Sequence, residues 1–195
     1  MSKLRTRNRL IHGVGINDAN YNTQVRVNGK LVVCKYYRTW KNMLERCYDS
    51  NLHLKHPTYI GCIVCEEWLT FSNFKAWMET QDFGGKDLDK DILVKGNKIY
   101  SPETCIFVTN AINKLFTKGD ASRGEYKIGV NFNKRDGKYQ AGCSVNNKSK
   151  FLGYYSTEEE AYQAYKVFKT AYIKIIALEQ TDERLKQAML NYIVD

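Results

Sequence analysis

The stretch from Leu88 to Asn113, LDKDILVKGNKIYSPETCIFVTNAIN, decides how the first half of this chain is read. Ile92-Leu93-Val94 begins apolar, Gly96-Asn97 supplies turn chemistry, Ile99-Tyr100 resumes, and Ile106-Phe107-Val108 forms a second β-rich run. Thr109 or Asn110 then offers a side-chain oxygen to cap a helix carrying Ile112, Leu115 and Phe116. The pattern predicts two short strands followed by a helix. Asp87, Asp89 and Asp91 surround Lys90 at the start of this unit, and such a group also suits a solvated charge cluster on a small module.

Upstream, Tyr36, Trp40, Met43, Leu44 and Cys47 recur at helical spacing. A polar connection follows, then a short apolar strand over Gly61–Cys65, then a helix from Glu66 through Phe71, Phe74, Trp77 and Met78. Taken together, WKNMLERCY at Trp40–Tyr48, VCEEW at Val64–Trp68, FSNF at Phe71–Phe74, LDKD at Leu88–Asp91 and YSPETC at Tyr100–Cys105 resemble the HNH family of metal-dependent DNA nucleases. The resemblance is to the phage-encoded members of this ββα-metal, or His-Me finger, group, and it covers about residues 36–116. It implies a metal-dependent phosphodiesterase. Asp89 falls at a metal ligand, Lys90 at the general base that is His in the family, Thr104 at the central Asn position, and Asn113 at the second metal ligand on the helix. Oxygen ligands of this kind suit Mg2+ or another hard divalent cation. Lys90 departs from the pattern, because an ordinary ammonium with pKa near 10.4 is protonated and accepts no proton. His53 or His56, on the polar connection, are the histidines from which a substitute base would come.

Composition agrees with a nucleic-acid partner. The chain has 195 residues, with 30 Lys and Arg against 21 Asp and Glu, a formal charge of +9 and a pI near 9.2, which favours a polyanion such as double-stranded DNA. No stretch has the apolar length of a membrane span, and the N-terminal arginines have no following apolar segment. Six cysteines in such a chain read as reduced thiols. A phage origin implies the bacterial host cytoplasm. Cys62-x-x-Cys65, with Cys47 and Cys105, also permits a structural Zn2+ site, although buried small hydrophobes fit the same cysteines.

Residues Lys3–Arg9 form a basic arm or a solvated tail, and Thr23–Val27 and Leu31–Val33 around Asn28-Gly29 spell a hairpin with a type I′ turn. Thr117–Glu125 reads as a linker. Beyond it, Tyr126–Val130, Lys138–Val145 and Lys150–Tyr155, separated by Asp136-Gly137 and Asn146-Asn147, predict three antiparallel strands. Ser156 with Glu159 then forms a capping box for a helix whose Ala161, Ala164, Tyr165, Phe168, Tyr172 and Ile175 cover the sheet. This segment, with YKIGV at Tyr126–Val130, GKYQA at Gly137–Ala141, FLGYY at Phe151–Tyr155 and TEEEAYQAY at Thr157–Tyr165, resembles the AP2 DNA-binding domain.

Strand alternation puts Ile128, Val130 and Phe132 against the helix, with Lys127, Gly129, Asn131 and Asn133 opposite. On the next strand Lys138, Gln140, Gly142 and Ser144 oppose Tyr139, Ala141 and Cys143. The polar face, rimmed by Lys134, Arg135, Lys148 and Lys150, is left for a DNA groove. Residues 178–195 add a short helix with Leu185, Ala188, Met189 and Tyr192 on one face, free to dock on the chain or on another copy; oligomeric state stays open.

The expected class is α+β: a basic arm and hairpin at 1–35, an HNH-like ββα-metal module at 36–116, a linker at 117–125, an AP2-like three-stranded sheet packed on one helix at 126–177, and a C-terminal helix at 178–195. The expected function is metal-dependent, homing-type cleavage of duplex DNA. The rival expectation is a phage DNA-binding or regulatory protein that keeps a degenerate HNH scaffold.

Overall fold

The computed structural model describes residues 10–117, 125–146 and 148–194. The basic arm and nearly all of the expected linker lie outside the described residues. The fold is α+β, in two compact units that meet between Thr109 and Asn110.

In the first unit, β1 (Gln24–Val27) and β2 (Lys30–Val33) form an antiparallel hairpin. Asn28 and Gly29 carry φ of +49° and +75°, the pair of positive angles that a type I′ turn needs. Helix α1 (Lys35–Tyr48) buries Tyr37, Trp40, Met43, Leu44 and Cys47. The stretch expected as a polar connection contains a second helix, α2 (Ser50–Lys55), started by the Asp49 side chain accepting from Leu52 N at 3.0 Å. None of its residues is buried, so it lacks the apolar period that announces a helix.

After β3 (Ile63–Val64) the single helix expected from Glu66 is two pieces: a 3-10 turn at Glu66–Leu69 and α3 (Phe71–Glu79). The cause is Ile16, whose N–H donates to Leu69 O and whose C=O accepts from Phe71 N, holding Thr70 extended between them. Trp40 Nε1 donates to Trp68 O at 2.6 Å, which ties α1 to that turn. Trp40, Trp68, Phe71 and Phe74 fill the core, each at most 1% exposed.

The ββα stretch has its first strand earlier than expected. Strand β4 (Asp87–Asp89) pairs antiparallel with β6 (Ile106–Val108), Leu88 opposite Phe107, while Ile92–Val94 is loop. Between them, β5 (Ile99–Tyr100) pairs in parallel with β3 and not with its sequence neighbours. Burial of Ile92 at 8% exposure accounts for the apolar signal without a strand.

The second unit begins with α4 (Asn110–Phe116), then an antiparallel sheet in the order β7 (Val130–Asn133), β8 (Lys138–Val145), β9 (Lys148–Tyr155). Helix α5 (Glu158–Leu178) packs on this sheet, and α6 (Glu183–Leu190) packs on α5, burying Leu185 and Met189. The capping box falls one residue later than expected: Thr157 Oγ1 accepts from Glu160 N, and Glu160 Oε2 accepts from Thr157 N. The buried face of α5 is Ala161, Tyr165, Lys169, Ile173 and Ala177. Ile175, expected on the sheet, is 58% exposed on a different face.

Candidate functional site

The loop from Asp89 to Cys105 is built from reciprocal polar contacts. Asp89 Oδ1 accepts from the backbone N–H groups of Asp91 (2.7 Å) and Ile92 (2.8 Å), closing the turn that leaves β4. Burial raises the Asp89 carboxyl above the usual range, and these two N–H groups oppose the shift. Lys90 is 5% exposed, so it belongs to the interior and not to a solvated cluster. Its Nζ is ion-paired with Asp91 and donates to Asn97 O at 2.9 Å. Asn97 Nδ2 returns a bond to Lys90 O at 2.8 Å. Lys90 and Asn97 thus latch the loop, and every contact of the Lys90 ammonium is to an acceptor, with the Tyr100 ring 5.8 Å away. Held so, Lys90 fixes the shape of this loop.

Thr104 Oγ1 donates to Ile99 O at 2.7 Å and meets Ser101 Oγ at 3.1 Å, folding the Tyr-Ser-Pro-Glu turn back onto β5. Both residues are therefore spent on local geometry. Asn113 sits in α4 and belongs to the second unit, whereas Asp89 belongs to the first. His53 Nε2 bonds Arg46 O at 2.9 Å, which anchors it on α2.

The sequence reading passed over Arg46. From α1 it donates to Leu88 O on β4 at 3.4 Å and lies 5.7 Å from the Tyr59 ring. Burial works against its charge, but Tyr100, Tyr59 and Asp87 more than offset this and raise its pKa. A fixed cation thus stands beside the strand that ends in Asp89. Its helical position facing away from the Trp40 stripe was the one signal available.

The four cysteines expected for zinc lie in the core of the first unit, Cys105 at 0%, Cys62 at 2% and Cys47 at 5% exposure, with Cys65 partly buried. Burial pushes the Cys47 and Cys105 thiols up to about 12 and raises Cys65 as well, as it does for cysteines packed among apolar side chains. Among the described residues no group of three or more His, Cys, Asp or Glu is arranged to hold a metal. Magnesium makes a weaker demand, being held by one or two carboxylates together with substrate phosphates, and Asp89 meets that donor chemistry.

In the second unit the sheet has one covered and one open face. Register sets the open face as Asn131 and Asn133 on β7, Gln140, Gly142 and Ser144 on β8, and Ser149, Phe151 and Tyr154 on β9, with Lys138 at its edge. A bulge between Ala141 and Gly142 adds Leu152 to β9, so that Phe151 and Tyr154 both emerge on the open side. Their rings are 5.1 Å apart and about half exposed, and the sequence reading missed them because alternation alone does not reveal a bulge.

Two expected contacts lie elsewhere. Lys150 pairs with Cys143 on the covered side and lies 4.7 Å over the Phe168 ring of α5. Lys127 is ion-paired with Glu159 of α5 and lies 5.1 Å over Tyr162. Neither faces the open side. Lys148, opposite Val145, is at the exposed hairpin end on the covered-side register. Asn133 is committed to the following turn: Oδ1 accepts from Arg135 N, and Nδ2 donates to Asp136 at 2.8 Å. Arg135 is 87% exposed with Asp136 against its Nε. Asn131, Lys134, Lys138, Gln140 and Ser144, with Phe151 and Tyr154, make up the accessible surface.

No protein-family model, curated protein or solved structure matches this chain.

Proposed function

We propose that this chain is a duplex-DNA-binding protein of the HNH-like endonuclease type, which docks on DNA through the open face of β7–β9 and cuts or nicks it with its N-terminal unit. The observation that carries the reading is the three-stranded sheet covered on one side only. Its uncovered side joins amide and hydroxyl groups able to read base edges, two aromatic rings, and cations at the rim. The chain's +9 charge supports the same partner.

Support for cleavage comes from the framing of Asp89, at the end of an antiparallel strand pair that leads directly into a helix. Asp89 would hold a divalent cation together with phosphate oxygens, and the ion would supply Lewis-acid polarisation of the scissile phosphate. Arg46 adds fixed positive charge near β4, and Lys90 holds the loop shape. Water would be the nucleophile. A second reading, DNA binding on a scaffold that no longer cleaves, is favoured by the Lys90 ammonium filling the position of the base.

Plasmid nicking in magnesium or manganese separates the two. Cleavage by the native chain that is abolished in Asp89→Ala, with DNA affinity retained, supports the nuclease. Absence of metal-dependent nicking together with salt-sensitive binding supports the scaffold. Asn131→Ala is expected to relax sequence preference more than affinity. Binding indifferent to salt contradicts both readings.

A further inference from the structure

The amides and rings on the open sheet face are of the types that recognise A·T pairs. Asn131 of β7 and Gln140 of β8 are directly opposite each other. Among the described residues neither amide has a hydrogen-bond partner, whereas Asn133 is committed to its turn. An unengaged Asn or Gln side chain offers a donor and an acceptor side by side, the complement of adenine N7 and N6 in the major groove. Directly opposed residues have Cβ atoms about 5 Å apart, against a rise of about 3.4 Å per base. The two amides therefore reach neighbouring base pairs.

Phe151 adds an apolar contact. It is opposite Gly142 and next to the Gln140–Tyr154 pair on the same face, 52% exposed. Gly142 sets no side chain beside it, and neither a left-handed backbone nor a crowded neighbour requires that glycine. The Phe151 ring carries no polar atom, and the apolar group that distinguishes a base edge in the major groove is the thymine C5-methyl. The Tyr154 hydroxyl accepts from Asn133 Nδ2 at 3.4 Å, which holds the second ring beside the first.

Guanine is read chiefly by Arg or Lys reaching O6 and N7. Among the described residues Lys138 is the one cation in the open-face register, at the end of its strand, and Lys134 and Arg135 belong to the adjoining turn. Lys148 and Lys150 take the covered-side register. The cations are thus at the rim, suited to phosphate, and the centre of the face is amides, hydroxyls and rings.

We infer that the open face of β7–β9 selects A·T pairs in the major groove, with Asn131 and Gln140 taking adenine and Phe151 taking the thymine methyl. The inference rests on the duplex-DNA reading proposed above and names the bases that this face prefers.

The test is selection by the full chain from a random duplex library in EDTA, which withholds divalent cations, followed by fluorescence anisotropy on the selected duplex. Adjacent A·T pairs are expected to be enriched. Replacing their adenines by 7-deazaadenine, which lacks N7, is expected to weaken binding about 10-fold. Replacing thymine by uracil, which lacks the methyl, is expected to weaken it about 4-fold per methyl. Asn131→Ala with Gln140→Ala should remove the first effect and Phe151→Ala the second. All three side chains are exposed or half-buried, so circular dichroism should show the native fold. Enrichment of G·C pairs, or no enrichment by a chain that still binds duplex, overturns the inference and leaves the DNA-binding reading standing. An A·T preference indifferent to both analogues, or unchanged in the variants, also overturns it, since the bases are then read from the minor groove or by another surface. A chain that binds no duplex overturns the DNA-binding reading and this inference with it.

Discussion

At the scale of single residues, Gly129 shows how a turn position is fixed by both backbone and neighbour. Its φ of +77° lies in the left-handed region, and a Cβ built there would come within 2.2 Å of the Tyr165 ring. Gly29 has nearly the same φ, +75°, but no atom within 4 Å of its would-be Cβ. Gly29→Ala should therefore cost only backbone strain, about 1 kcal/mol, while Gly129→Ala adds the clash with a buried tyrosine and should cost about 2–4 kcal/mol. Urea unfolding of the two variants measures the difference, and equal losses would mean that Tyr165 yields at little cost. Gly129 was not legible as a turn position: the sequence pattern put it inside a strand over Tyr126–Val130, whereas the strand begins at Val130. The directions of Lys127 and Lys150 were not legible: each is captured by α5, Lys127 by Glu159 and Lys150 by Phe168, and sequence alternation has no access to such partners. The alternative of a solvated cluster at Lys90 fails for a related reason, since its acceptor Asn97 O comes from a turn that closes only in the fold.

At the scale of elements, legibility followed how much of the element's code is local. The β1–β2 hairpin was readable from Asn28-Gly29, and α5 from its period, because turn angles and helical spacing are properties of neighbouring residues. Helix α2 was hidden by having a cap and no buried face, and the split before α3 was hidden because Ile16, far away in the chain, imposes it. Helix α5 also contains a conflict that its period did not reveal, the buried Lys169, 8% exposed on the face that meets the sheet. Burial lowers its pKa, and the neighbouring Cys143 opposes the shift only in part. With the folded pKa below the unfolded one, the unfolded chain binds more protons between the two values, so this residue's penalty is full below the folded pKa and fades as pH rises toward about 10.5. Lys169→Met should accordingly stabilise the chain by about 1 kcal/mol at pH 7. That gain should shrink at pH 10, as thermal melts at the two values will show; a gain independent of pH would mean that packing, not charge, is the cause.

At the scale of the whole molecule, the boundary between Thr109 and Asn110 leaves Asp89, Lys90 and Thr104 in one unit and the open sheet in the other. The second unit is more than the three strands and one helix that its resemblance suggests. Phe116 of α4 meets Tyr192 edge-on at 4.8 Å, and α6 buries Leu185 at 4% and Met189 at 0% exposure along α5. Burying each such side chain stabilises by about 1.5–3 kcal/mol, a large share of what a domain of this size has in total. A fragment of residues 110–195 should therefore unfold in one cooperative transition, whereas residues 126–177 alone should lose several kcal/mol or fail to fold. The longer fragment also isolates the DNA contacts. If Lys134, Arg135 and Lys138 are the cations that reach phosphate, its affinity should fall with salt at a log–log slope of about −3, from roughly 0.9 counterions released per contact. Fluorescence anisotropy on a duplex measures that slope directly. A slope of this size that drops by about one unit in Lys138→Ala ties binding to the open face, and a slope near zero in a folded fragment shows that the sheet is not the DNA surface.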